Sequence, residues 1–272
     1  MIKILYAAAN RPLDAQMLEF PTYLARLSQS PLYGLIAREL PASEPLVEGL
    51  SGRALSRPRM SVVSTDTDRF TRFRELCRSQ GVLGKVHPLP VPSIRDLVRE
   101  TRFADLLLLD PRFSEGPEED QVPSASAVEI FRQAECPVIS VPPKFGSIQE
   151  IVFACDGSAS SVHALRQVSY LFPQFSDRKI TVLHTYEHQM HAPWKDALNE
   201  WLQMHFQDVY FQQKQGKLFD VLMEECYPKP NLMLVLGAYG RSSWSQFLRE
   251  SQAQRILNLF EGPVCIAHPH AR

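Results

Sequence analysis

Two segments of this chain set polar side chains and glycines directly after apolar runs: Cys155-Asp156-Gly157-Ser158, and Gly237-Ala238-Tyr239-Gly240-Arg241-Ser242-Ser243. A glycine after a strand permits a tight turn and a close backbone approach. A helix that starts there presents unpaired backbone N–H groups suited to phosphate. The same glycines could simply turn the chain, because short glycine motifs often match by chance.

Other reactive side chains form weaker groups. His184, His188 and His191 lie close in sequence, and imidazole is a common metal ligand. No Cys or carboxylate cluster nearby completes a tetrahedral set, so no metal site is expected. Cys155 adjoins Asp156 but has no evident base, and the G-x-S-x-G elbow is absent. His205 shares a helical face with Leu198, Trp201 and Leu202 and reads as a packed interface histidine. Residues 115–120 read as a solvated acidic loop, and 268–270 as a ragged terminus. With no recognisable catalytic set, the chain reads as a binding protein rather than an enzyme.

The elements that would position these residues repeat. Residues 4–9 (ILYAAA) resemble 151–156 (IVFACD), 104–110 resemble 231–237, and 136–141 resemble 262–267, in the same order in both halves. Apolar runs of this length, bounded by turn residues, suit strands buried on both faces of a parallel sheet. Strands are expected near 3–9, 32–37, 85–89, 105–109 and 137–141, then near 150–155, 179–184, 208–213, 231–236 and 263–267. Helical spacing falls between them, at Ala127, Ile130, Phe131 and Ala134, at Val162, Leu165, Val168 and Leu171, and at Ala253, Ile256, Leu257 and Phe260. Ser158 or Ser160 would cap the second of these. Strands alternating with helices imply right-handed βαβ units. The expected architecture is α/β: two tandem five-stranded, parallel, doubly wound sheets, one in 1–145 and one in 146–272. A proline-stiffened linker at 142–147 joins them, and 41–60 reads as a long loop.

Composition excludes several classes. The chain has 272 residues, with 29 Lys+Arg against 30 Asp+Glu. The first 145 residues hold 18 basic and 18 acidic side chains, leaving 11 and 12 for the rest. Neither half has the basic surplus that a nucleic-acid footprint needs. The five cysteines include no CxxC pair, which argues against a disulfide framework or a zinc site. No apolar run approaches the ~20 residues of a membrane span, and no signal peptide is apparent. A cytoplasmic protein is expected.

The repeat, the strand ending in Asp-Gly-Ser, and the run from Gly237 to Ser243 with Ser251 and Arg255 beyond it resemble the universal stress protein family in tandem form. The resemblance is strong over 148–268 and weaker over 1–145. It implies a stress-response binding or regulatory protein with an adenine-nucleotide-binding, Rossmann-like fold. It also implies ATP with Mg as ligand in the second half. By this resemblance Asp156 and Thr185 would lie near adenine and ribose, Gly237 and Gly240 would bring backbone N–H groups to the phosphates, and Ser251 would donate to them. Glu250 stands where the motif has its last glycine, adding bulk and a charge that opposes phosphate. In the first half Asp110-Pro111-Arg112 replaces the first glycine, and Ala9 stands where Asp156 stands, so nucleotide binding is expected to be lost there. The family commonly dimerises through its last strand. The resemblance therefore implies internal pairing of 137–141 with 263–267, and leaves a homodimer open.

Two other readings stand beside this one. The first is a dimerisation scaffold of the same fold that binds no nucleotide. The second is a phosphate-cleaving or phosphate-transferring enzyme, for which only Asp156 and Glu250 offer themselves.

Overall fold

The ten expected strands form, alternating with helices. The computed structural model describes residues 1–9, 11–36, 62–87, 93–115, 121–186, 192–227, 229, 231–237, 250–267 and 269; side chains are described for these except at 62–68, 192 and 250–254. The first half contains β1 (Ile4–Ala8), α1 (Ala15–Leu27), β2 (Leu32–Ile36), α2 (Val62–Ser79), β3 (Gly84–Val86), α3 (Ile94–Thr101), β4 (Leu106–Leu109), α4 (Ala125–Gln133) and β5 (Val138–Ser140). The second contains β6 (Glu150–Ala154), α5 (Ala159–Leu171), β7 (Lys179–Thr185), α6 (Ala192–Gln203), β8 (Asp208–Lys214), α7 (Leu218–Cys226), β9 (Leu232–Gly237), α8 (Glu250–Leu259) and β10 (Val264–Ala267). The loop expected at 41–60 lies outside the described residues.

Burial explains why the strands read as continuous apolar runs. Every residue of β1, β4, β9 and β10 is buried. A strand covered by helices on both faces has no solvent side to mark with polar residues. One core layer joins the sheet to α1, α2, α5 and α6 through Leu18, Phe73, Leu165 and Leu202. The other joins it to α3, α4, α7 and α8 through Leu97, Ile130, Leu222 and Ile256. The helices begin where short polar side chains can satisfy free N–H groups. Asp14 accepts from Met17 N at 2.8 Å, Ser124 from Ala127 N at 3.0 Å, and Ser158 from Ser161 N at 3.2 Å.

The two expected five-stranded sheets are joined edge to edge. All strands join a single ten-stranded sheet in the order β3-β2-β1-β4-β5-β10-β9-β6-β7-β8. Pairing is parallel on each side of the centre, and β5 meets β10 antiparallel with Ile139 opposite Cys265. The expected pairing of 137–141 with 263–267 is therefore present. Its physical cause is that both strands are wholly buried, so an unpaired edge would leave backbone donors and acceptors without partners. The linker is anchored as well as stiff: Phe145 packs against Phe20 and Tyr23, with ring centroids 5.0 and 4.9 Å away. Among the described residues no helix is long and apolar enough to cross a membrane.

Candidate functional site

In an open α/β sheet the ligand crevice lies beyond the carboxyl ends of the strands, where their order reverses. In the second half that point falls between β6 and β9, which pair in register with Ala154 opposite Leu236. Asp156 leaves the sheet two residues beyond Ala154, and Gly237 is the last residue of β9. Thr185 ends β7 on the other side of β6 and is fully buried. The structure thus brings Asp156, Thr185 and Gly237 to one rim. Gly240 lies outside the described residues, together with Arg241 and Arg249. Ser251 and Glu250 fall in the first turn of α8, and neither side chain is described.

The local chemistry of this rim is specific. Gly157 adopts φ +75°, a left-handed conformation that side chains rarely tolerate. This turn lets Asp156 Oδ1 accept a hydrogen bond from Ser158 N at 2.8 Å. Ser158 then caps α5, whose N–H groups open towards the crevice. Gly237 is required by packing: a Cβ at this position would overlap the backbone of Ser160 and Ser161 at the start of α5. The glycine therefore seats the helix N-terminus against the end of β9.

Two features of this end were not evident from sequence. The first is a buried histidine beside a half-buried glutamine. His184 is 3% exposed, and neither of its ring nitrogens has a partner among the described residues. Its register partner on β8, Gln213, also buries an unpaired Nε2. Burial holds the His184 imidazole below its ordinary pKa of 6.5, and the nearby Lys195 ammonium adds to the effect. The sequence offers this histidine only as a metal ligand; His188 and His191 lie outside the described residues. The second feature is a cleft of about 470 Å³ between α5 and α6, lined by Gly157, Val162, Arg166, Trp194, Leu198 and Trp201 among others. The 3.6-residue spacing of Trp194, Leu198 and Trp201 was the available signal, but it marks any buried helix face equally well. His205 lies in the turn just past α6 rather than on its helical face, and its ring stacks on Trp201 with centroids 4.1 Å apart.

The matching end of the first half is built differently. The register of Ala7 with Leu109 makes Asp110 the counterpart of Gly237 and Ala9 that of Asp156. Arg11 Nη2 approaches Asp110 Oδ2 at 3.3 Å, tying the loop after β1 to the loop after β4. Asp110 Oδ1 accepts from Arg112 N at 2.9 Å. Arg69 Nη2, from α2, donates to the carbonyls of Ala9 and Arg11 at 3.2 and 3.1 Å. Side-chain bonds therefore hold these loops where the second half uses glycines. All five cysteines are free thiols.

A universal stress protein from Archaeoglobus fulgidus DSM 4304 superposes over 98% of this chain and 96% of its own, with a TM-score of 0.65 at 11% identity. This is the universal stress protein fold. Two further structures superpose over nearly the whole chain. A Pseudomonas aeruginosa PAO1 protein of unknown function matches with a TM-score of 0.59 at 14% identity, covering 98% of this chain and 93% of that one. The cytoplasmic domain of a prokaryotic cation chloride cotransporter gives 0.52 at 13%, covering 98% and 95%. No family model and no curated protein matches the sequence.

Proposed function

We propose that this chain is a stress-response binding protein of the universal stress protein kind, with one adenine-nucleotide site in its second half, 146–272, and none in 1–145. The supporting observation is the rim at the β6/β9 switch point. There a partly buried Asp156, the turn at Gly157 and the capped N-terminus of α5 converge beside Gly237. Asp156 and Thr185 would face adenine and ribose. The backbone of Gly237 and Gly240 and the hydroxyl of Ser251 would face the phosphates. Magnesium would offset the charge of a triphosphate. Calorimetric titration of the full chain with Mg-ATP tests the reading: about one nucleotide per chain, lost in Asp156→Ala, is the expected result. Absence of heat up to millimolar nucleotide overturns it.

A second reading draws on a specific observation. The need for glycine at 237 is met by helix packing alone, so the residue does not require a ligand. On that reading the chain is a scaffold whose two halves are fused through β5 and β10. No nucleotide then binds, and the partners are proteins.

A further inference from the structure

A second cavity, of about 260 Å³, lies where the two halves meet. The loops after β1 and β4 and the end of β5 form its first wall, through Arg11, Asp110, Arg112 and Ser140. The end of α8 and the turn into β10 form the other, through Asn258 and Glu261. Neither half closes it alone.

Its polar groups are unevenly satisfied. Asp110 is 3% exposed and fully engaged by Arg11 and the Arg112 backbone. Among the described residues the Nε of Arg11, buried behind its guanidinium edge, has no partner. Arg112 and Glu261 are exposed and have no ion-pair partner among the described residues. The two walls thus carry opposite charge into the cavity, guanidinium N–H donors on one and a carboxylate on the other. Met17, Leu257 and Phe260 add apolar surface between them. A nucleoside triphosphate does not fit this pattern, since its charge would face both Asp110 and Glu261. The cavity is also smaller than the usual drug-sized pocket of ~300–1,000 Å³.

We propose that this cavity binds a small zwitterion, an α-amino acid with an apolar side chain. Its carboxylate meets the guanidinium groups of Arg11 and Arg112, its ammonium meets Glu261, and its hydrocarbon lies on Leu257 and Phe260. The site is separate from the switch point of the second half and stands whether or not nucleotide binds there.

Calorimetric titration of the full chain with L-leucine, L-methionine and L-phenylalanine tests the proposal, alongside 4-methylpentanoate and 3-methylbutylamine as half-ligands. The expected result is about one amino acid per chain, with each half-ligand at least about tenfold weaker. Arg112→Ala and Glu261→Gln should each weaken L-leucine by about tenfold with an unchanged melting temperature, because both side chains are exposed. Mg-ATP titrations of the two variants should match wild type. Absence of heat with all three amino acids overturns the proposal. So does equal binding of 4-methylpentanoate and L-leucine, or loss of Mg-ATP binding in Arg112→Ala, which would make the cavity an anion site.

Discussion

Gly237 closes β9 directly against the backbone of Ser161, leaving no room for a methyl group between strand end and helix start. Helix backbone cannot swing aside as a long side chain can, so relief requires α5 to shift. Gly237→Ala should destabilise the chain by about 1–3 kcal/mol, the usual cost of overpacking. The midpoint of urea unfolding measures it. An unchanged midpoint would mean that α5 is not held against β9.

Asp156 does two separable jobs on the nucleotide reading. Its bond to Ser158 N shapes the turn, a local contribution of about 1 kcal/mol. On that reading its carboxylate also meets adenine or ribose. Asp156→Ala should therefore lower the unfolding midpoint only slightly while removing Mg-ATP binding. Asp156→Asn keeps an oxygen for Ser158 N and should restore the midpoint without restoring full affinity. Equal nucleotide binding by all three proteins would remove Asp156 from the site.

His184 makes a pH prediction. Its folded pKa is depressed below 6.5 by burial first and by Lys195 second. Below about pH 6.5 the unfolded chain takes up a proton that the folded chain refuses, so stability falls as pH drops through that value and is complete above it. A buried imidazole with two unpaired nitrogens also lowers stability at any pH. His184→Leu should match or exceed wild type at about pH 7.5, and the advantage should widen at about pH 5.5. Urea midpoints at the two pH values check this. A variant that is less stable at both would show that the imidazole has partners in solution.

What the sequence revealed and what it hid divide along physical lines. Strands such as Leu106–Leu109 and Leu232–Gly237 were legible because double-sided burial writes itself as an unbroken apolar run. The β5–β10 pairing was legible because two short apolar strands with no polar face cannot remain edges. The merging of the two sheets into one follows from that same pairing. The Arg11–Asp110 bridge was not legible, because its partners lie 99 positions apart and their residue types are ordinary for surface loops. A glycine after a strand suits phosphate binding, yet the reason for Gly237 that the structure displays is steric. Spacing cannot tell those two causes apart.

The joined sheet makes a prediction about cooperativity that uses its own thiols. Burial pushes Cys77 and Cys265 up to about 12, so neither forms thiolate at about pH 8 while folded. Cys77 belongs to α2 in the first half, and Cys265 lies in β10 at the centre of the sheet, opposite Ile139. If the two halves unfold as one unit, both thiols react with iodoacetamide at a common rate set by global opening. If instead the β5–β10 pairing parts first, Cys265 reacts sooner than Cys77. The continuous sheet and the anchoring of Phe145 on α1 favour the common rate. Ile139→Ala removes a fully buried side chain from the join and should cost about 2–5 kcal/mol. In that variant both rates should rise together. A selective rise at Cys265 would show that the join is the weak point of the sheet and that the halves retain separate stability.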